Sequence, residues 1–258
     1  VADIVPLINE NRIFVSCGID YIKENKCKGI HELLKVSGIN SKDANSTVLG
    51  YQIAPRINAA GRMKNAKNAV RLFVSEDLDE ITQIANELNH INQLRQEVEK
   101  EIYNEAVHMI QNENLKDDPI IVLAKEGWHS GVLGIVASKI SELYYKPCAF
   151  ISFTGEEGKG SLRSIKGFNI YEALKEVSGT LVKFGGHELA AGITVNKNQF
   201  EEFRNKILSY AKNKLSKNNL IKEIYIDSEI KENNMNLEFA NKLMTLEPFG
   251  IGNPQPNF

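Results

Sequence analysis

The feature that most limits how this chain can fold is a long amphipathic segment that begins near residue 76. Apolar residues recur at steps of three and four from Leu78 to Ile110, and neither Gly nor Pro interrupts them before Pro119. A helix of about 35 residues would be ~50 Å long, which exceeds the needs of most globular domains. Its other face is acidic, so a helix that connects two domains is predicted. Two consecutive surface helices that break near residues 89–92 are the alternative.

The pattern changes after this segment, and short apolar runs suited to strands alternate with helical patches. The predicted strands are 120–124, 147–153, 159–164 and 193–195. The predicted helices are 130–140, with Ser130 as its N-cap, 169–178 and 198–213. Such alternation predicts the α/β class for this part of the chain.

The two ends of the chain look like cuts. There is no initiator Met, and Val1–Val5 has the composition of a buried strand. The chain ends on a turn-like Gly-Asn-Pro-Gln-Pro-Asn-Phe, after Ile224–Asp227 has begun a further unit. We therefore expect a piece of a longer protein.

Charge is unevenly distributed along the chain. Net charge is only -2, which by itself argues against a nucleic-acid-binding protein. However, residues 50–72 carry five basic residues and no acid, whereas residues 76–118 carry twelve acids against three bases. A polyanion such as a nucleic acid responds to the local sign of the charge rather than to the net charge. Residues 50–72 are therefore a candidate segment for nucleic-acid binding.

Cysteine usage and hydropathy indicate a reduced, cytoplasmic protein. The three cysteines are odd in number and show no CxxC spacing, so neither a disulfide framework nor a thiolate zinc site is predicted. No apolar run approaches the ~20 residues that a membrane span requires, and none resembles a secretory signal.

The segment Phe184–Gly192 is rich in small residues and includes Gly185-Gly186-His187. Adjacent glycines let the backbone approach a ligand closely, and their N–H groups, followed by a short helix, would form an anion-binding nest. His187 is placed to donate to a phosphate or to transfer a proton. An ordinary turn is the commoner explanation of such a motif.

Three further side chains are candidates for ligand binding. Ser161 and Arg163 would lie on one side of an extended strand, where a hydroxyl and a guanidinium can clamp a phosphate. An ordinary exposed strand face is the alternative. His129 precedes a predicted helix, where it can contact a ligand, cap the helix or pack on Trp128.

The histidines offer no metal-ligand spacing. His31, His90 and His108 stand singly in helical patterns, as surface or hydrogen-bonded groups do. Asp3 differs, because a lone carboxylate in an apolar run costs free energy unless it is paired or metal-bound. Strand ends in α/β sheets also bind ligands. A helix-capping or loop carboxylate explains Asp3 equally well.

Taken in order, these segments resemble the RecJ family of the DHH phosphoesterase superfamily over essentially the whole chain. Residues 1–7 look like the last motif of the catalytic DHH domain, and Ala54–Arg62 looks like the signature near that domain's end. The resemblance to the family's DHH-associated domain lies in residues 128–138, 160–163 and 185–192. Pro248–Pro254 resembles the beginning of an OB-fold domain.

The resemblance implies a fold and an activity. The fold would be α/β, with a DHH-associated domain of mixed sheet over 117–215. The end of the DHH domain (1–75) and a connector helix (76–116) would precede it, and a truncated OB-fold domain (220–258) would follow. The implied activity is 5′-to-3′ exonuclease hydrolysis of single-stranded DNA in recombination and repair. Mn²⁺ or Mg²⁺ would be the cofactor, and single-strand-binding proteins or helicases the candidate partners.

The resemblance also implies roles for individual residues. Asp3 matches a metal ligand of the family, and most other ligands would lie upstream, so the isolated chain is expected to be inactive. Ser161 and Arg163 would hold the 5′-terminal phosphate. His187, as a catalytic residue, would contact the phosphate near the metals together with the Gly185-Gly186 backbone. Arg56 and Arg62 would line the cleft that admits a single strand, and His129 is a further candidate for substrate binding.

Three alternatives remain. Another DHH-superfamily phosphoesterase, acting on oligonucleotides or cyclic dinucleotides, would share Gly-Gly-His but should lack Pro248–Pro254. A non-catalytic nucleic-acid-binding module is a second alternative. A purely structural α/β domain is a third, but it would leave residues 50–72 and the Gly-Gly-His segment unexplained.

Overall fold

A computed structural model describes residues 1–2 and 5–258, except for the side chains of residues 217 and 218. The chain divides into two compact units. The first combines Val1–Leu94 with Ile224–Phe258, and the second is Arg95–Glu223. The first unit is therefore assembled from two stretches that are far apart in sequence.

The predicted long helix is present as a single element, which runs over Leu78–Asn112 without interruption. A break near residues 89–92 is therefore ruled out. The helix begins where Asp77 Oδ1 accepts a hydrogen bond of 2.9 Å from the backbone N–H of Asp79. Asn114, in the left-handed conformation at φ 54°, follows its end. The boundary between the two units falls inside this helix, at Leu94.

The first unit is helical in the part of it that the structure describes. Its helices are α1 (Asn9–Lys23), α2 (Lys28–Val36), α3 (Ser46–Val48), a π-helical turn (Leu49–Ile53), α4 (Ala54–Met63), α5 (Lys67–Val74), the first part of α6 (Leu78–Asn112) and α10 (Leu237–Met244). Leu33, Leu72 and Leu88 contribute to its core. Helices α2 and α5 approach closely at Gly29, where a Cβ would lie 2.4 Å from the Leu72 carbonyl oxygen.

The described residues at the start of the chain do not form the expected buried strand. Val1 and Ala2 are not in a strand, and the side chain of Val5 is 42% exposed. Asp3 lies outside the described residues. Leu7, which follows this segment, is buried, and its N–H donates to the Ile251 carbonyl at 2.6 Å.

The C-terminal stretch packs against this same segment. Arg12 Nη2 donates to the carbonyl oxygens of Leu246, at 2.8 Å, and Glu247, at 3.0 Å. A Cβ on Gly250 would lie only 2.6 Å from Leu7 Cδ1, so glycine leaves room there for the Leu7 side chain. Residues 246–252 therefore anchor the chain immediately ahead of α1.

The second unit is an α/β domain with a mixed sheet, as predicted, and this sheet has five strands, one more than the sequence predicts. Its strands are β1 (Ile121–Glu126), β2 (Cys148–Thr154), β3 (Glu157–Arg163), β4 (Lys183–His187) and β5 (Ala190–Asn196), in the order β1-β2-β3-β5-β4. β1 and β2 are parallel, and the other pairs are antiparallel. Its further helices are α7 (Ser130–Tyr144), α8 (Ile170–Glu176) and α9 (Phe200–Lys214).

The two faces of this sheet differ in how they are covered. One face carries apolar side chains such as Leu162 and Ile193, which form a core with Phe203 and Ile207 of α9. On the other face, α7 packs against β2 and β3, whereas Gly185 of β4 remains exposed. This face therefore offers an open surface beside α7.

The last part of α6 is connected to the end of β1. Glu105 accepts a hydrogen bond of 2.7 Å from the Trp128 indole and pairs with Lys125 Nζ at 2.8 Å. These two partners, Lys125 first, lower the pKa of the Glu105 carboxyl. No helix in the described part of the chain is both long and apolar enough to cross a membrane.

Candidate nucleic-acid interface

The glycine-rich segment forms a β-hairpin rather than a loop. Gly185 pairs with Gly192, Gly186 with Ala191, and His187 with Ala190. The expected nest followed by a short helix is wrong, because residues 188 and 189 form a two-residue turn into β5. Successive glycines hide the side-chain alternation that would identify a strand from sequence.

The tip of this hairpin is held by backbone hydrogen bonds. Ser164 N–H donates to the Leu189 carbonyl at 2.9 Å, and Ile170 N–H donates to the Glu188 carbonyl at 3.0 Å. The Leu189 N–H lies 3.4 Å from His187 Nδ1, which accepts from it. The exposed His187 is therefore presented on an anchored turn.

The glycines of the hairpin serve different purposes. Gly186 has φ 151°, and a Cβ there would lie 2.4 Å from the Ala190 carbonyl oxygen, so its backbone requires glycine. By contrast, a Cβ on Gly185 would meet nothing within 4 Å, and one on Gly192 would meet only the Gly160 carbonyl oxygen, at 3.8 Å. Glycine weakens a strand, and in that setting it often marks close approach by a ligand.

Strand register brings most of the predicted residues of this unit onto one face. Ser161 pairs with Gly192, which pairs with Gly185. Arg163 pairs with Ala190, which pairs with His187. Paired residues share a face, so a hydroxyl, a guanidinium and an imidazole surround a floor of glycine. Gly186 belongs to the opposite face and contributes only its backbone.

Ser161 and Arg163, the predicted phosphate clamp, form a hydrogen-bonded pair, and phosphate binding by this pair stays a prediction. Arg163 Nη1 donates to Ser161 Oγ at 3.1 Å, and its Nε donates to Ser138 Oγ of α7 at 3.1 Å. Both clamp residues are half-buried. Because Ser161 Oγ accepts this bond, its own hydroxyl proton is available for a ligand. The guanidinium is held in place before any ligand arrives.

Gly134 determines how closely α7 approaches this pair. A Cβ there would lie 2.7 Å from Arg163 Nη2 and 3.0 Å from Ser161 Oγ. Sequence reasoning missed Gly134, because its helical context hides a packing role that depends on a distant strand.

Cys148 lies beneath the same surface, and its buried thiol is expected to be unreactive. Burial raises the pKa of its thiol to about 12. The thiol donates to the Ala137 carbonyl at 3.0 Å. It is a packed thiol rather than a nucleophile.

Lys159 and Lys183 are residues of this face that sequence reasoning missed. Lys159 pairs with Thr194, which pairs with Lys183, one row beyond Ser161. The alternation of Lys159, Ser161 and Arg163 in sequence was the available signal for Lys159. For Lys183 there was none, because β4 was not predicted.

His129 caps α7. Its Nδ1 accepts a hydrogen bond of 3.2 Å from the backbone N–H of Gly131. The capping alternative is therefore confirmed, and Ser130 is the first residue of the helix rather than its cap. A ligand contact by His129 stays a prediction.

Arg56 and Arg62 belong to α4 of the first unit. Arg56 Nε donates to Asn89 Oδ1 of α6 at 2.9 Å, and its Nη1 donates to the Gln52 carbonyl at 2.6 Å. Arg56 thus joins two helices, whereas Arg62 is exposed in the last turn of α4. Their contact with a nucleic-acid strand stays a prediction.

The described residues do not fit a complete metal centre. Among residues 1–2 and 5–258, no group of three or more His, Cys, Asp or Glu side chains could hold a metal ion. Asp3, the candidate ligand, is outside the described part. His31, expected to be a surface or hydrogen-bonded group, instead has its Nδ1 buried without a partner among the described atoms.

Comparison with known sequences agrees with this architecture. The DHHA1 domain family matches residues 117–213, and the RecJ OB domain family matches residues 226–258. The single-stranded-DNA-specific exonuclease RecJ of Bacillus subtilis is 38% identical over 259 residues, which cover 100% of this chain and 33% of that protein. The chain belongs to the RecJ family.

Solved structures of the RecJ family share the fold. The crystal structure of RecJ from Thermus thermophilus in complex with Mg²⁺ is 30% identical, with a TM-score of 0.88 over 99% of this chain and 39% of that chain. The complex of the same protein with Mn²⁺ gives a TM-score of 0.89 over 99% of this chain and 37% of that chain. The chain spans between 33% and 46% of the length of its curated RecJ relatives.

Proposed function

We propose that this chain is the substrate-holding part of a RecJ-family exonuclease that hydrolyses phosphodiester bonds of single-stranded DNA from the 5′ end, in recombination and repair. One observation carries the proposal: the hydrogen-bonded Ser161–Arg163 pair stands beside an exposed glycine floor. The names of the RecJ relatives, single-stranded-DNA-specific exonucleases, supply the substrate class.

In this proposal Arg163 and Ser161 bind the 5′-terminal phosphate. The guanidinium of Arg163 has five N–H donors, and its bonds to Ser138 and Ser161 hold it beside α7. Partial burial strengthens a charged hydrogen bond relative to water. The glycine floor lets the strand backbone approach the sheet, and His187 contacts a phosphate or moves a proton at the hairpin tip.

We extend to this protein a requirement for Mg²⁺ or Mn²⁺, the ions in the Thermus RecJ structures. Such an ion would activate water and stabilise charge on the phosphodiester. Because the described residues do not hold one, the roles given to them here are binding and orienting the strand. That this chain alone does not cleave DNA stays a prediction.

The domain assignments also belong to this proposal. Residues 1–75 would be the end of a DHH catalytic domain and 76–116 its connector. Residues 117–215 would be the substrate-binding domain and 220–258 the start of an OB-fold domain. We further propose a cytoplasmic location, with single-strand-binding proteins or helicases as partners.

The test is Arg163→Ala in the full-length enzyme, assayed on matched 5′-phosphorylated and 5′-hydroxyl strands. Loss of a charged hydrogen bond of about 1.5–3 kcal/mol should lower kcat/KM on the phosphorylated strand roughly 10- to 100-fold. The hydroxyl strand should be affected much less. Arg204→Ala, on a helix against the opposite face of the sheet, is the control. Equal losses on both strands would show that Arg163 does not hold the terminal phosphate.

A further inference from the structure

The surface that holds Ser161 and Arg163 continues along the strands beyond Ser161. Strand register sets three successive rows on one face of β3, β5 and β4. The rows are Arg163–Ala190–His187, Ser161–Gly192–Gly185 and Lys159–Thr194–Lys183. The last of them, the lysine row, therefore lies on the far side of the Ser161 row from His187.

The lysine row carries two exposed ammonium groups. Among the described residues, neither Lys159 nor Lys183 has a carboxylate oxygen within 4.0 Å. Lys125, on the same row in β1, is instead paired with Glu105. The two lysines thus keep their charge available for an anion that reaches this row.

The direction of a bound strand decides which group reaches these lysines. In the proposed function the 5′-terminal phosphate lies at Ser161 and Arg163, and the phosphodiester that is hydrolysed lies near His187. The sugar of the first nucleotide joins these two phosphates. Any further group on the 5′-terminal phosphate is attached on the side away from that sugar, and so extends along β3 toward the lysine row.

The spacing of the rows suits a short polyphosphate. Rows on one face are two residues apart, about 6.8 Å along an antiparallel strand. Neighbouring phosphates of a polyphosphate share a bridging oxygen, so a second and a third phosphate fit within that distance. Lys159 and Lys183 lie on either side of β5, with backbones roughly 10 Å apart. Their long flexible stems can bring one ammonium group to each added phosphate.

We propose that Lys159 and Lys183 bind the second and third phosphates of a 5′-triphosphorylated single strand, which makes such strands a further substrate class of this enzyme. The inference rests on the proposed function, which sets where the first phosphate lies. Water adds to the phosphorus of the first phosphodiester, and the bond from that phosphorus to the 3′ oxygen of the first nucleotide breaks. The 3′ oxygen leaves with a proton. The products are a nucleoside 5′-triphosphate and a strand with a 5′-monophosphate.

The test is displacement of a labelled, 5′-phosphorylated thymidylate strand from the full-length enzyme in EDTA, followed by fluorescence anisotropy. The competitors are thymidine 5′-monophosphate and thymidine 5′-triphosphate. An exposed ion pair changes affinity by about 1.5- to 5-fold, so two of them should make the triphosphate a stronger competitor by about 2- to 25-fold. Lys159→Gln/Lys183→Gln should remove most of this difference and leave competition by the monophosphate unchanged.

A second measurement, with Mn²⁺ present, is the release of nucleoside triphosphate from a 5′-triphosphorylated strand. Lys159→Gln/Lys183→Gln should lower kcat/KM for this strand by the same factor as it weakens competition by the triphosphate. Cleavage of the matched 5′-monophosphorylated strand should keep its kcat/KM.

The matched control is Lys175→Gln/Lys212→Gln, which removes the same charge from exposed positions of α8 and α9. An equal loss in this control would overturn the proposal, because only net charge would matter. So would a triphosphate that competes no better than the monophosphate on the wild-type enzyme. An advantage that survives in Lys159→Gln/Lys183→Gln would also overturn it, since the lysines would then only protect a sheet edge. The proposed function fails on a different result, which is unchanged competition by the monophosphate in Arg163→Ala.

Discussion

At the scale of single residues, glycine decides the shape of the proposed binding surface. Gly186 is required by its own backbone, at φ 151°. Gly134 leaves room for the Arg163 guanidinium and the Ser161 hydroxyl of β3. Neither backbone conformation nor a close neighbour requires glycine at positions 185 and 192. The lack of side chains on Gly185 and Gly192 instead keeps this face of the sheet open. One residue type thus answers three physical needs.

The variant Gly134→Ala should separate folding from binding. Alanine favours a helix over glycine by about 1 kcal/mol, but its methyl group would lie 2.7 Å from Arg163 Nη2. The guanidinium is the far end of a flexible side chain, so it should move while the fold persists. Thermal unfolding should show an unchanged or slightly raised midpoint, and anisotropy should show several-fold weaker binding of a 5′-phosphorylated strand.

Gly18→Ala is the control for that variant. Gly18 lies within α1, and a Cβ there would meet nothing within 4 Å. It should gain helix stability and keep strand affinity. If Gly134→Ala also keeps full affinity, the position of Arg163 does not matter for binding.

At the scale of elements, α6 carries buried polar groups on an otherwise apolar stripe. Arg95 is 8% exposed and Glu99 5% exposed, and their side chains form an ion pair one turn apart. Glu99 also pairs with Lys139 of α7. The carboxylate thus links two helices of the second unit.

Removing one member of this pair should be costly. Glu99→Leu takes away the carboxylate partner of a buried guanidinium, and such losses destabilise by about 3–5 kcal/mol. Arg95→Leu/Glu99→Leu should recover most of that stability, because two apolar side chains replace the pair. Urea unfolding of both variants and of Arg95→Leu completes a double-mutant cycle. Additive losses would show that the pair does not act as a unit.

Element prediction from sequence succeeded where periodicity is local. The apolar stripe of α6 and the apolar runs of β1 and β2 identified these elements. β4 was missed because Gly185 and Gly186 carry no side chains to alternate. The N-cap of α7 was placed one residue late, since both Ser130 and His129 can cap and only the folded backbone chooses.

At the scale of the whole molecule, the three thiols are divided between the two units. Cys17 is exposed and Cys27 half-buried, and both belong to the first unit. Cys148 is buried in the second. The reactivity of Cys148 therefore reports on opening of the second unit.

The stability of the second unit should fall at alkaline pH because of Cys148. Burial raises the pKa of this thiol to about 12 in the folded state, against about 8.5 in an unfolded chain. The unfolded state therefore loses the proton first, so the stabilisation is complete below pH ~8.5 and is lost as pH rises toward the folded value. Between pH 8.5 and 10.5 the wild-type chain should lose about 2 kcal/mol more than Cys148→Ala.

The measurement is urea unfolding at several pH values, with thiol labelling to follow Cys148. Comparing the two proteins removes the contribution of other groups that titrate in this range, such as Tyr210, whose pKa is also raised by burial. Identical pH profiles would mean that the Cys148 thiol is no harder to ionise when folded.

The sequence by itself determined the elements whose pattern is local: the long helix, the α/β alternation, and the placement of Ser161 and Arg163 on one side of a strand. Tertiary structure alone decided which strand lies beside that pair, and so brought Gly185, His187 and Lys183 to it. It also joined Ile224–Phe258 to the first unit rather than to its neighbours in sequence. The physical reason is that side-chain periodicity records which face of an element is buried. Strand pairing and unit assembly depend instead on contacts between residues far apart in the chain.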